Sequence, residues 1–372
     1  MASIKFTGLL RVPRSRSVAA VGIYAGSVKP LADEDLDHIL TKTLPLWEGT
    51  RGRQIFLSGA TGFFGAWLLE SLAYCNRRLN LELTATVLSR DPAAFAARMP
   101  HLAGDPAIRL LRGDVRNFEF PDREFDFIVH AAASTTADAA SQPIGLLTAL
   151  VDGTERMLGL AGARGTKKFL FVSSGAVYGP QPQHLSHIPE EYPGGPDWLD
   201  PNAGYAEGKR VSEQMCSLHA RESDIEFAIA RCFAFVGPHL PMDRHFAIGN
   251  FIGDALAGRN IAIRGDGTPM RSYLYAADLA IWLWTMLFRG ARLGSELLAI
   301  NVGSAAAISI RDLAHEVVQE LNPSLKVEVA QEPVACAPLL QYVPDVRRAE
   351  ALGLRQTFGL REAIRRTADW YR

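Results

Sequence analysis

Tyr205 and Lys209 stand four residues apart in Tyr205-Ala-Glu-Gly-Lys209, a spacing that puts both on one face of a helix. An ammonium beside a phenol favours the phenolate and lowers its pKa. Such a phenol can exchange a proton with a substrate hydroxyl or carbonyl while a hydride passes to or from a nicotinamide. Upstream, Ser173-Ser174-Gly175-Ala176-Val177-Tyr178-Gly179 closes an apolar run, and the Ser174 hydroxyl can bond the same reacting oxygen. Tyrosine and lysine at this spacing recur by chance in many chains. Their place behind a serine-rich strand end and a glycine-rich first turn makes the signal specific.

That first turn is Gly59-Ala60-Thr61-Gly62-Phe63-Phe64-Gly65. Gly59 permits a tight turn, Gly62 lets the backbone approach a pyrophosphate, and Gly65 lets helix and strand pack closely. The helix start supplies N–H donors and the positive end of a dipole. The end of the second strand chooses the dinucleotide, because an acid there reads the ribose 2′-OH and an arginine the 2′-phosphate. Ser89 stands at the acid's place and Arg90 follows, which favours NADP(H). NAD(H) stays possible if Arg90 is a solvated loop residue and Asp91 is the ribose ligand. Asp114, before Val115, can accept the adenine amino group or cap the next turn. His130-Ala131-Ala132-Ala133 leaves room for a flat ligand against the backbone, and His130 itself reads as a packed core histidine.

These groups need elements to hold them. Gln54–Ser58, Leu83–Leu88, Ile108–Leu111, Phe127–His130, Phe169–Ser173 and Ile225–Arg231 are short apolar runs suited to buried parallel strands. Helical stretches run over Ala66–Tyr74 and Pro143–Ala163, and another starts near Tyr205. The alternation predicts an α/β chain with a doubly wound, open parallel sheet. After residue 236 glycines and prolines break the rhythm, and helices return at Tyr275–Phe288, Ile310–Leu321 and Leu360–Trp370. The division expected is a tail over 1–30, a short helix within 31–50, a dinucleotide-binding domain over 51–236 with returns at about 271–303, and a smaller, discontinuous substrate domain over 237–372. Asp33, Glu34, Asp35 and Asp37 open the short helix, where its dipole favours acids.

Composition sets the outer bounds. The 372 residues are 48% hydrophobic and 21% charged, with net charge −1, so no whole-chain basic field argues for nucleic acid. Residues 1–30 hold five basic side chains and no acid, which reads as a mobile solvated tail rather than a signal peptide. Four scattered cysteines without paired spacing suit a reducing compartment and no metal site. No apolar run reaches the roughly 20 residues of a membrane helix. A cytoplasmic location is expected.

Together the motifs resemble those of the extended short-chain dehydrogenase/reductase family, the nucleotide-sugar epimerases, dehydratases and reductases. The resemblance covers roughly residues 52–370. It runs from the Gly59–Gly65 loop through Gly113-Asp114, His130–Ala133, Ser173–Gly179 and Tyr205–Lys209 to Arg231–Pro238, Gly265–Tyr275 and Asp278. It implies a Rossmann domain, a C-terminal domain that binds a nucleoside-diphosphate sugar, and commonly a homodimer. Ser174, Tyr205 and Lys209 would then be catalytic. Thr61, Phe63, Phe64, Val115, Ala131, Ala132, Ala133 and Ser173 would join the glycines, Ser89, Arg90, Asp114, Tyr205 and Lys209 around the cofactor. Ser174 and Arg271 would touch substrate, Arg271 on the diphosphate unless it pairs with Asp266 or Asp278.

Two departures narrow the chemistry. The family's dehydratases and decarboxylases keep acids after the catalytic Ser or Thr, where this chain has Gly175 and Ala176. Elimination chemistry is thereby disfavoured, and Arg90 tilts the expectation to an NADPH-dependent 4-ketoreductase, with a 4-epimerase holding NAD as the alternative. Ala234 replaces an asparagine that relatives use on substrate. His239, His245 and Phe251 fall in the segment that usually lines the sugar pocket.

Overall fold

Strands covered on both faces carry apolar residues at successive positions, and seven such strands align in one parallel sheet. They are β1 (Gln54–Ser58), β2 (Thr84–Ser89), β3 (Ile108–Arg112), β4 (Phe127–His130), β5 (Lys168–Ser174), β6 (Glu226–Cys232) and β7 (Ala299–Val302). Their order is β7-β6-β5-β4-β1-β2-β3, parallel throughout. Chain direction across the sheet reverses between β1 and β4, and the crevice beyond their carboxyl ends is where such sheets bind ligands. This computed structural model describes residues 27–133, 142–243, 246–290, 292–293, 296–297 and 299–372. Most of the basic tail, with the apolar stretch Val18–Gly26, and His245 lie outside the described residues.

The helices are α1 (Asp33–Trp47), α2 (Phe63–Leu79), α3 (Pro92–Arg98), α4 (Pro143–Ala163), α5 (Gly204–Glu222), α6 (Ala247–Leu256), α7 (Ala276–Arg289), α8 (Ile310–Leu321) and α9 (Leu360–Tyr371). Alternate strand residues feed two cores. Ile55 and Leu57 join α1, α2 and α7 on one face, and Phe56 joins Met157, Phe169 and Cys216 on the other. Helix α2 begins three residues earlier and runs five residues further than the sequence reading. It stops where Asn80 turns into the left-handed region at φ 50°, which asparagine tolerates.

Helix α1 is fastened to this body. Trp47 meets Trp284 and Phe288 edge-on at 5.3 and 5.2 Å. Asp35, expected only to complement the helix dipole, is buried and accepts from the Tyr275 hydroxyl at 2.7 Å and from Arg366 at 3.0 Å. Burial raises its pKa, with both partners opposing.

The smaller lobe is built from α6, α8 and α9 with short strands. Met270–Arg271 lies between Ile308–Ser309, antiparallel, and Gln341–Tyr342, parallel. Between them in sequence, α7 packs back on β5 and β6, and β7 completes the large sheet. Among the described residues no helix is long and apolar enough to cross a membrane.

Candidate active site

The turn after β1 is shaped by contacts that only glycine permits. Gly59 has φ +74°, and a Cβ there would sit 2.4 Å from the Ala131 carbonyl carbon. A Cβ on Gly65 would sit 2.2 Å from the Ala60 backbone. Gly62, the residue before α2, has nothing nearer than 3.6 Å on that side, so its backbone is sterically approachable. Thr61 lends its carbonyl to the Arg98 guanidinium. Phe63 and Phe64 form the first turn of α2, and Phe64 packs edge-on against Phe235 at 5.0 Å.

At the end of β2, Ser89 is buried and accepts from the Asp91 N–H at 3.2 Å. Asp91 caps α3, accepting from Ala94 N–H at 3.0 Å. Its carboxylate therefore has structural work, whereas Arg90 is exposed and forms no hydrogen bond or ion pair with another described residue. Asp114 is held by Arg116, whose Nε and Nη2 donate to its two oxygens at 2.8 and 2.9 Å. These bonds hold the Asp114 carboxyl below the ordinary range, with a smaller contribution from Arg90. Val115 packs where Gly153 lacks a side chain. Ala131 N–H donates to Ser58 O at 3.1 Å, and Ala132 and Ala133 continue outward from it. His130 is a satisfied core residue, bonded to Ser58 at 2.7 Å and Thr154 at 3.2 Å, and burial lowers its pKa to about 3.

At the end of β5 the two serines part. Ser173 donates to Glu213 at 2.5 Å, away from the crevice. Ser174 caps the next turn, accepting from Ala176 N–H at 3.2 Å. Tyr205 opens α5, and Lys209 follows one turn on. Lys209 is buried, donates to Val172 O at 2.6 Å and stands 4.7 Å over the Phe171 ring. Burial lowers its pKa to about 8, with Cys232 and Glu213 opposing. The expected lowering of the Tyr205 pKa by Lys209 is not found. Burial pushes the phenol up to about 12 while Ser174 opposes, and the ammonium is anchored on a carbonyl instead.

Beneath these groups lies a network that the sequence reading missed. Glu213 takes Arg231 at 2.7 to 3.1 Å, Arg231 donates to the Tyr178 hydroxyl at 2.9 Å, and Tyr178 donates to Asn301 at 2.8 Å. It ties β5, β6 and β7 to α5. On the crevice side, Arg271 is half-buried and donates to Met270 O. Neither acid considered as its partner is free. Asp278 accepts from Thr357 and Phe358, and Asp266 accepts from Thr268. Tyr342, also missed, brings its hydroxyl to 2.7 Å from where a Gly175 Cβ would sit and has its ring 6.0 Å from the Arg271 guanidinium. His239 lies 4.7 Å from Trp370, ring to ring, and Phe251 is a core residue.

A crevice at a strand-order reversal, an approachable glycine turn and Ser174, Tyr205 and Lys209 together suit a nicotinamide dinucleotide enzyme. The model of the NAD dependent epimerase/dehydratase family matches residues 55–303, and the chain belongs to that family. It is an enzyme of the extended short-chain dehydrogenase/reductase type. UDP-glucuronic acid decarboxylase 3 of Arabidopsis thaliana is 30% identical over 313 residues, 84% of this chain and 86% of that one. The fold is similar to a UDP-N-acetylglucosamine 4-epimerase from Methanobrevibacter ruminantium M1, with TM-score 0.73, 18% identity and 86% and 98% of the two chains covered. It is also similar to a UDP-glucose 4-epimerase of Thermus thermophilus solved with NAD, with TM-score 0.69, 22% identity and 86% and 98% covered.

Proposed function

We propose that the protein is an NADPH-dependent reductase of a nucleoside-diphosphate 4-keto-6-deoxy sugar. The observation that carries this reading is a Ser174–Tyr205–Lys209 set with Gly175 and Ala176 beside it. Among the described residues no carboxylate bonds Ser174 or Tyr205. Elimination and decarboxylation call for an additional acid or base here, whereas carbonyl reduction needs one proton donor. The dinucleotide, when bound, supplies the hydride. Gly62 and the start of α2 would hold its pyrophosphate, Ala131–Ala133 would lie along it, and Arg90 would meet the 2′-phosphate. Tyr205 donates the proton to the C4 oxygen, Ser174 orients that oxygen, and Lys209 holds the ribose from its seat on Val172. Arg271 meets the sugar-nucleotide diphosphate, and the lobe over 237–372, apart from its returns to the sheet, encloses the sugar. Ile144 on α4 and Val211 and Leu218 on α5 are exposed apolar residues, and they suit pairing with a second copy.

Arg90 tests the reading. Arg90→Ala is expected to weaken NADPH binding about 10–100-fold and leave NADH nearly unchanged, because a charge-assisted pair is lost from the phosphate alone. Equal loss of both cofactors, or tightly retained NAD in the purified protein, overturns the reductase. The second reading would then stand, a 4-epimerase using the same three residues, as the fold shared with two 4-epimerases favours.

A further inference from the structure

The glycine turn is gripped from outside by an arginine. The Thr61 carbonyl, within Gly59–Gly65, accepts from the Arg98 guanidinium. Arg98 is half-buried and is the last residue of α3, the helix that follows Arg90 and Asp91. Its own backbone is held in turn, since the Arg98 carbonyl accepts from Val28 N–H at 2.8 Å. Two residues on, the Pro30 carbonyl accepts from Trp370 Nε1 at 2.9 Å, and Lys29 stands 5.8 Å over the Trp370 ring. Trp370 lies near the end of α9 in the smaller lobe, and its neighbour Tyr371 donates to Leu240 O at 2.8 Å. The segment Val28–Pro30 is therefore a strap from α9 to α3, and Arg98 carries it on to the turn.

We propose that Arg98, held by this strap, is a positioning residue for dinucleotide binding. The proposal rests on the reading of the Gly59–Gly65 turn as the pyrophosphate site. A pyrophosphate is drawn to the N–H groups at a helix start and repelled by a carbonyl oxygen that turns toward it. The C=O and N–H of one peptide lie in one plane and point opposite ways. Holding the Thr61 oxygen therefore also sets the Gly62 N–H, which closes the turn onto Gly59 O at 3.3 Å. The glycine on the far side of that peptide resists rotation little, so the restraint has to come from outside the turn. The guanidinium fixes the peptide and offsets the negative end of its dipole. Arg98 thus acts on the phosphates that NADPH and NADH share, whereas Arg90 is read on the 2′-phosphate alone.

Calorimetric titration of the full chain with NADPH and with NADH decides it, after any retained nucleotide is removed and with folding followed by circular dichroism. Arg98→Met should raise both Kd values alike, by about 5–30-fold, for the loss of one charge-assisted hydrogen bond. Arg98→Lys, which keeps a charged donor, should recover most of the affinity. Trp370→Phe keeps a ring under Lys29 but cannot donate to Pro30. It should raise both Kd values about 2–4-fold, and add nothing in the Arg98→Met background. A merely structural Arg98 would lower the melting temperature and leave both Kd values alone, and that result overturns the proposal. A loss confined to NADPH also overturns it, because Arg98 would then read the 2′-phosphate. Unchanged Kd values for Trp370→Phe overturn the strap's part. If Arg98→Met does not fold, the Arg98→Lys and Trp370→Phe titrations decide by the same criteria. A wild type that binds neither dinucleotide overturns the reading of the turn and the proposal with it. Tight binding by wild type and Arg98→Met alike overturns the proposal alone.

Discussion

Two half-buried arginines flank the candidate site and live under opposite rules. Arg231 lies beneath it, and burial would lower its pKa, but the bonds to Glu213 outweigh that and raise it. Arg271 lies at the crevice, where burial lowers its pKa and only the tyrosines 273 and 342 oppose. The first is neutralised inside the protein and has its hydrogen-bond partners in place. Among the described residues, the second has aromatic rings and one carbonyl for company. A cation desolvated without a counter-ion is costly to stability and suited to an anionic ligand. Arg231 is tied into the architecture by Glu213 and Tyr178, and Arg271 is the one proposed to meet substrate.

The largest effect expected lies between the two arginines. Tyr205→Phe should lower turnover about 10²–10⁴-fold, the usual worth of a general acid, with cofactor affinity within a few-fold. Turnover close to wild type would remove Tyr205 from the chemistry and leave the contrast without a centre. Arg231→Met should next cost about 3–5 kcal/mol in denaturant unfolding, since it strands Glu213 as a buried charge. Adding Glu213→Leu should recover part of that loss. Arg271→Ala should leave unfolding nearly unchanged while raising the KM for a nucleotide sugar about 10–100-fold, with kcat little affected. A large drop in melting temperature with unchanged KM would make Arg271 a second structural arginine. The smallest effect is on acid stability. His130 and His239 are lowered to about 3 by burial, so the unfolded chain takes up their protons first as pH falls. Their contribution is whole above pH 6.5 and is lost between there and about pH 3. His130→Gln should flatten that part of the curve of melting temperature against pH.

The legible parts were those whose chemistry sits within a few residues of a strand end. The Gly59–Gly65 turn, the Ser173–Ser174 end of β5 and the Tyr205–Lys209 turn each carry both the element and the reason for it. Tyr342 was illegible because nothing local marks it. It reaches Gly175 only through pairing with Met270–Arg271, and that short strand has no periodicity to read. One signal was available, since a glycine directly after Ser174, at the end of a strand, asks what occupies the space beside it. Asp35 shows the same blindness. In sequence it is one of four acids at a helix start, and its burial against Tyr275 and Arg366 depends on residues hundreds of positions away. Asp114 carries two expectations, the adenine amino group and the cap of the next turn; it does accept from the Arg116 N–H as a cap, and its bidentate pairing with the Arg116 guanidinium turns on a side chain two residues on.

The late arrival of β7 bears on how the chain can be assembled. Val302 pairs with Cys232, and almost the whole run from α6 through α7 must be laid down between them. A non-local pairing of this kind is entropically slow to close, and without it β6, paired with β5 on one side, has its other edge open. A polypeptide cut after Val236 would keep the glycine turn and the Tyr205–Lys209 helix. It would also present Ile229–Cys232 as an open strand edge, robbed of the cover of α7, and such edges recruit other chains. Because β7 of the large sheet follows α6 of the smaller lobe in sequence, no single truncation separates the two.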